Sequence, residues 1–277
     1  MVTVLDVLRG AAGYMEGRGV ENPRLNAEHL LAHVLGRKRL DLYLEFDRPL
    51  EEAERAPMRE LTRARAEGRP LQHLLGTVEF FGRSFLCDAR ALIPRPETEQ
   101  FVELALERLD RGVAGVVDVG TGSGILAITV ALERPDARVI GVDLQAEALS
   151  LAAENAARLG AAVEWCLADL WPPGMDRVDA ILANLPYIPT AEIETLSREV
   201  QHDPPSALDG GADGMSLLHK LIASAPERLC ANGLLGLEIG AGQSDVLVGQ
   251  LEAHNFRDIQ ALADYQGHTR FLFAKHG

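Results

Sequence analysis

The stretch Val116-Val117-Asp118-Val119-Gly120-Thr121-Gly122-Ser123-Gly124 decides the fold of this chain. Its first four residues read as a short buried strand. Three alternating glycines then end the strand and lead into an apolar run, 125–133, that reads as a helix. Glycine at such a junction lets the backbone turn sharply and lets a ligand approach the main chain closely. Outward from the loop, strands and helices alternate. Residues 138–143 form a second strand and 147–159 a second helix closed by Gly160. Residues 163–167 and 178–183 supply a third and fourth strand, and 234–239 and 270–274 later ones. This alternation predicts an α/β domain with a parallel sheet covered by helices on both faces.

Asp143 ends the second strand about 20 residues after the glycine loop, where a carboxylate can accept both hydroxyls of a ribose. Loop and carboxylate together imply a nucleoside-containing ligand at the carboxyl edge of the sheet. A dinucleotide loop needs a third glycine at the sixth position, where this chain has Ile125. The pattern G-x-G-x-G suits S-adenosylmethionine better than NAD. Asp169, in Ala-Asp-Leu-Trp after the third strand, can accept an adenine amino group, or it can simply cap a turn. Leu144 and Leu170, next in the chain to these two carboxylates, join the candidate cofactor-binding set with the five loop residues and Asn184. Trp171 beside Pro172-Pro173 reads as lid or core. The eight histidines show no metal-ligand spacing, and His219 sits in a helical pattern. No G-x-S-x-G elbow or Cys/His pair points to nucleophilic catalysis.

The sharpest chemical feature is Asn184-Leu185-Pro186-Tyr187 at the end of the fourth strand. An amide or exocyclic amino nitrogen is a poor nucleophile because its lone pair is delocalised into the adjacent π-system. Two acceptors that hold both N–H bonds aim that lone pair and stabilise positive charge growing on nitrogen. The side-chain oxygen of Asn184 can be one acceptor and the main-chain carbonyl of Leu185 the other. Pro186 biases Leu185 towards an extended conformation that presents its carbonyl. Tyr187 offers a flat face for a planar amide or base.

The first 75 residues lack such a constellation and read as helical. Val4, Leu8, Ala11 and Met15 share one face, ended by Gly17 and Gly19. Asn22-Pro23 starts a second helix with Leu30, Leu31, Val34 and Leu35 inward, and Gly36 stops it. Residues 51–68 form a charged helix that Pro57 starts or kinks, its charges read as a solvated face. Period two over 78–92, with Gly82-Arg83 at its centre, reads as a hairpin with glycine supplying the positive φ. The prolines of Ile93-Pro94-Arg95-Pro96-Glu97-Thr98-Glu99 then give a stiff entry to a helix bearing Phe101, Leu104, Ala105 and Leu109. The organisation expected is a helical domain at 1–75, a hairpin linker at 76–92 and an α/β domain at 93–277.

Composition sets the limits. The chain has 277 residues, 47% hydrophobic and 25% charged, enough to bury a core. With 27 Lys and Arg against 41 Asp and Glu, its net charge of −14 argues against a surface for long nucleic acid. Cys87, Cys166 and Cys230 lie far apart, which suits neither a disulfide framework nor a zinc site. No apolar stretch approaches the ~18 residues of a membrane span, and Asp6 and Arg9 interrupt any signal-peptide core. A soluble, cytoplasmic protein is expected.

With these residues located, the chain resembles the release factor glutamine methyltransferases, known also as the HemK family. The resemblance runs through E-F-F-G-R-S-F, L-I-P-R-P-E-T-E from Leu92, D-V-G-T-G-S-G from Asp118 and N-L-P-Y-I from Asn184. It continues in A-L-D-G-G-A-D-G from Ala207, L-E-I-G from Leu237 and D-Y-Q-G-H-T-R from Asp264. It implies a class I S-adenosylmethionine-dependent methyltransferase with a Rossmann-like, mostly parallel seven-stranded sheet. It also implies a small N-terminal helical domain that engages release factors. The reaction implied is methyl transfer to the side-chain nitrogen (N5) of glutamine in a Gly-Gly-Gln motif, leaving S-adenosyl-L-homocysteine. The chain departs from the family's Asn-Pro-Pro-Tyr at Leu185 and from its Glu-Pro at Asp203-Pro204. Asn-Leu-Pro-Tyr also resembles ribosomal RNA adenine dimethyltransferases, so an adenine-N6 methyltransferase acting on RNA or DNA is the alternative. A non-catalytic nucleotide-binding module is a second alternative. The charge and the P-R-P-E-T-E segment favour a protein substrate, with neither membrane nor nucleic acid as a direct partner.

Overall fold

The computed structural model describes residues 1–110 and 112–277. The chain divides into two compact units, Met1–Thr77 with Ser197–His202, and Val78–Leu196 with Asp203–Gly277.

The first unit holds α1 (Val4–Glu16), α2 (Pro23–Leu35), α3 (Glu52–Ala66) and α4 (Leu71–Leu75), with a 3₁₀ turn at Arg39–Leu44. Thr3 and Asp6 form a reciprocal capping box at the start of α1. Val4, Leu8, Ala11 and Met15 point into the core, and left-handed Gly36 ends α2. Pro57 does not start α3; it lies inside a helix that begins at Glu52. The charged face is not uniformly solvated either. Arg65 is only 4% exposed. Its guanidinium donates to Asn26 Oδ1 (2.7 Å) and the Arg69 carbonyl (3.1 Å) and pairs with Glu199. Burial of a cation is tolerable where acceptors replace its water, and sequence spacing carries no trace of partners so distant in the chain.

The second unit opens with a hairpin of β1 (Thr77–Phe80) and β2 (Arg83–Leu86). Both turn residues, Phe81 (φ 49°) and Gly82 (φ 70°), are left-handed, as a two-residue hairpin turn of the right twist requires. Glycine therefore does not supply the positive φ alone. The strained Phe81 is held by its N–H, which donates to Glu99 Oε1 at 2.6 Å. Next come α5 (Pro96–Arg108), β3 (Gly115–Val119), α6 (Ile125–Glu133), β4 (Arg138–Asp143), α7 (Ala146–Leu159), β5 (Val163–Leu167) and β6 (Val178–Asn184). The chain ends with α8 (Ser216–Ser224), β7 (Leu229–Glu238), α9 (Ser244–Ala253), β8 (Phe256–Ala263) and β9 (Thr269–His276).

The seven-stranded sheet has the order β5-β4-β3-β6-β7-β9-β8. β9 runs antiparallel to both its neighbours and the rest is parallel. One apolar layer packs Phe101 of α5 on Phe271 and Phe273 of β9. The other packs α8 and α9 through Leu218, Leu221, Leu247 and Leu251. The direction of winding reverses between β3 and β6, so the carboxyl ends of β3, β4 and β6 open one crevice. Among the described residues no helix is long and apolar enough to cross a membrane, and no cluster of three or more acidic, His or Cys side chains could hold a metal.

Candidate active site

A cleft of about 1090 Å³, counted out to open solvent, lies at that edge of the sheet. Gly120, Thr121, Gly122 and Ser123 line it, as do Asp143, Leu144, Asp169, Leu170, Asn184, Leu185 and Pro186. Gly124 and Tyr187 stand outside the lining. A Cβ on Gly124 would lie 2.8 Å from the Trp165 ring and 2.9 Å from Ala152, so this glycine serves close packing of loop on sheet.

The loop is built for backbone exposure. Gly120, Gly122 and Gly124 have φ of 74°, 55° and 79°, a region costly for other residues. Asp143 holds it in place: one carboxylate oxygen accepts the Gly122 N–H at 2.8 Å and the other the Gln145 N–H at 2.9 Å. Each oxygen keeps a further lone pair for a ligand hydroxyl. From below, the fully buried Asn155 amide donates to the Ser123 carbonyl (3.0 Å) and exchanges two hydrogen bonds with the backbone of Leu86. The hairpin is thereby tied to the cofactor loop. Leu144, 62% exposed, offers an apolar rim beside Asp143, and Leu170 is held left-handed (φ 63°) next to Asp169. Trp171 faces away; its Nε1–H donates to Ser224 Oγ at 2.9 Å.

Sequence reasoning assigned no role to two acids, Asp118 and Asp203, although it noted Asp203 as a departure from the family's pattern. Asp118, 1% exposed, lines the cleft, and one of its oxygens accepts from the Thr121 hydroxyl (2.6 Å) and the Ala127 N–H (3.1 Å). The other oxygen is buried without a partner among the described residues. Burial pushes the group up to about 7. A cationic ligand would relieve that orphaned oxygen, and S-adenosylmethionine bears a sulfonium and an ammonium. The glycine cradle, the ribose-competent Asp143 and the orphaned Asp118 together fit that cofactor. The second acid is Asp203, 2% exposed, which accepts from the Ile93 N–H (3.0 Å) and the Arg95 guanidinium (2.8 Å). Shorter by a methylene than the family's usual Glu, it still reaches the P-R-P-E-T-E segment and clamps it.

At the end of β6, Asn184 Nδ2 donates to Thr98 Oγ1 at 3.0 Å. Leu185 is 4% exposed, and no hydrogen bond is made by its N–H among the described residues. The Tyr187 hydroxyl is lifted to about 12, by burial first and by Glu238 second, so it stays protonated. Its backbone carbonyl accepts from Gln243 Nε2 at 3.0 Å, which fixes the turn after the motif.

Two family models match the chain: the PrmC N-terminal domain over residues 6–76 and the methyltransferase domain over residues 116–202. A release factor glutamine methyltransferase of Geobacter sulfurreducens is 42% identical over 277 residues, spanning 99% of this chain and 97% of the relative. The chain belongs to the release factor glutamine methyltransferase family. A second member, from Deinococcus radiodurans, is 38% identical and covers 98% of this chain and 97% of its own. Among solved structures, a methyltransferase from Pyrococcus furiosus shares the fold with a TM-score of 0.55 at 16% identity, covering 71% of this chain and 90% of that one. A 16S rRNA N2 G1207 methyltransferase from T. thermophilus, in complex with AdoMet and guanosine, gives a TM-score of 0.53 at 19% identity, covering 73% and 50%. The seven-stranded sheet of this family member is thus that of S-adenosylmethionine-dependent methyltransferases.

Proposed function

We propose that this chain methylates the side-chain nitrogen (N5) of the glutamine in the Gly-Gly-Gln motif of peptide chain release factors. S-adenosylmethionine is the donor and S-adenosyl-L-homocysteine the product. The observation that carries the reading is that Asn184, Leu185 and Pro186 line the same cleft as the glycine loop and Asp143. An amide acceptor site therefore opens onto the cofactor site.

In this reading Gly120 to Ser123 and Asp143 hold the cofactor by backbone and ribose contacts, and Asp118 sits under its positive charge. Leu144, Asp169 and Leu170 border the adenine end. Bound S-adenosylmethionine supplies an electrophilic methyl carbon activated by its sulfonium. The Asn184 side-chain oxygen and the Leu185 carbonyl take the two N–H bonds of the substrate amide. Held in this way, the nitrogen lone pair can point along the line of transfer, and the positive charge that grows on nitrogen meets two fixed dipoles. Pro186 keeps the Leu185 carbonyl presented, and the Tyr187 ring flanks the plane of the amide. One N–H proton is released with the product. Residues 1–77 supply recognition of the release factor, since every residue lining the cleft lies at Arg90 or beyond. We place the reaction in the cytoplasm, with no membrane or direct nucleic-acid partner, in keeping with the net charge of −14.

Incubation with labelled donor and purified release factor, or with RNA or DNA in its place, tests the assignment. Label on the release factor glutamine is the expected result. Label on adenine would establish the alternative chemistry, and label on neither would leave a binding module.

A further inference from the structure

The register of the sheet sets Asn184 of β6 beside Glu238 of β7, and α5 lays Thr98 over the pair. Thr98 is 3% exposed and Glu238 2%. The Glu238 carboxylate lies next to the Thr98 hydroxyl and the Asn184 side chain, and both favour its charged form. Donor and acceptor accounting then leaves one arrangement. The Asn184 NH₂ donates to Thr98 Oγ1 at 3.0 Å, on the side where Glu238, an acceptor when ionised, is its register partner. The Thr98 hydroxyl, accepting from Asn184, keeps its own O–H to orient towards Glu238. The NH₂ of Asn184 is thereby held on the protein side, which leaves Oδ1 as the atom offered to the cleft.

Resting on the function proposed above, we infer that Thr98 and Glu238 are positioning residues: they lock the Asn184 amide in its acceptor orientation towards the substrate nitrogen. Without them the amide could rotate by half a turn and present NH₂ to the N–H bonds of the substrate, a repulsive contact in place of an attractive one. The carboxylate has a second effect. Its negative charge beside the NH₂ end pushes electron density onto Oδ1 and strengthens it as an acceptor for a nitrogen becoming positive. The second Glu238 oxygen is buried without a partner among the described residues. The arrangement also gives Thr98, inside the P-R-P-E-T-E segment, a chemical task.

Burial, followed by repulsion from Glu97, lifts Glu238 to about 7, against the attraction of Arg270 and the hydrogen bonds from Thr98 and Asn184. These groups, with the Tyr187 hydroxyl, are the titratable and charged neighbours facing it from α5, β9, β6 and the loop after β6. Protonation below that value removes the charge that polarises Asn184.

The test measures single-turnover methylation of purified release factor by the full-length enzyme and by Thr98→Val, Thr98→Ser and Glu238→Gln, with donor affinity measured in parallel. Thr98→Val and Glu238→Gln should lower the turnover rate ~10-fold or more, the worth of a hydrogen bond involving a charged group, with KM and donor affinity near the parent values. Thr98→Ser, which keeps the hydroxyl, should retain the parent rate. With donor saturating at every pH, the parent rate should fall as pH drops through about 7, and Glu238→Gln should lack that fall. Parent turnover in Thr98→Val, an equal loss in Thr98→Ser, or an unchanged acid limb in Glu238→Gln would each overturn the inference. A parent enzyme that leaves release factor unmethylated would instead overturn the proposed function.

Discussion

Leu185 packs directly over Gly120. A Cβ placed on that glycine would stand 2.7 Å from Leu185 Cδ2 and 3.9 Å from the Asn184 carbonyl oxygen. The first glycine of the G-x-G-x-G loop and Leu185 of Asn-Leu-Pro-Tyr are thus close neighbours. Gly120→Ala should suffer twice, from ~1–2 kcal/mol of strain at its positive φ and from this collision. Calorimetry should show weakened donor binding and single-turnover assays a slower rate. Adding Leu185→Ala should recover part of the loss, because it removes only the collision. Independent, additive effects of the two substitutions would show that the contact carries no coupling.

Asn184→Ala removes one of two preorganised contacts, each worth ~2.7–4 kcal/mol of barrier in sites of this kind, so turnover should fall about a hundredfold or more. Leu185→Pro keeps the carbonyl, and the Leu185 N–H it deletes makes no hydrogen bond among the described residues. It should retain activity. If both variants are equally inactive while folded and donor-binding, the division between side-chain and backbone acceptors is wrong.

Asp143→Ala should weaken S-adenosylmethionine binding by ~1.5–3 kcal/mol, roughly 10- to 150-fold. It loses the ribose acceptor and also frees the Gly122 and Gln145 N–H groups that the carboxylate now holds. An unchanged affinity by calorimetry would remove Asp143 from the cofactor site.

Asp118 is raised by burial from 3.8 to about 7. A raised acid contributes stability below its unfolded value, and that stability is lost as pH climbs through the folded value. The melting temperature of the free enzyme should therefore decline between about pH 4 and 7, and donor affinity should rise over the same range as the carboxylate ionises. Asp118→Asn should flatten both profiles and bind donor more weakly above pH 7. Parallel profiles for variant and parent, measured by calorimetry, would show that another group titrates.

A chain of residues 78–277 should still bind donor, because the cleft is lined from Arg90 onward. It should lose most methylation of intact release factor. Glu199, which pairs with the buried Arg65, would be left without its partner, so unchanged donor affinity is the control for folding. Full activity of the fragment on release factor would assign recognition elsewhere.

The sequence already carried the parallel strands and the glycine loop, because buried strands are apolar throughout and glycine marks the turn between β3 and α6. It was blind where distance in the chain hides the partner. Strand β8 escapes a period-two search because its exposure pattern is broken by a register shift between Arg257 and Gln260, with Asp258 left-handed. Thr98 stood in a quoted motif, but its contact with Asn184, 86 positions away, exists only once the sheet is formed. Asp118 likewise reads as part of a strand until burial leaves one of its oxygens unpartnered.

The most direct test is mass spectrometry of release factor after a single turnover, with fragmentation that places the added methyl group. The account predicts one methyl on the side-chain nitrogen of the Gly-Gly-Gln glutamine with the parent enzyme and almost none with Asn184→Ala. A methyl group on any other atom, or equal modification by the two enzymes, would contradict it.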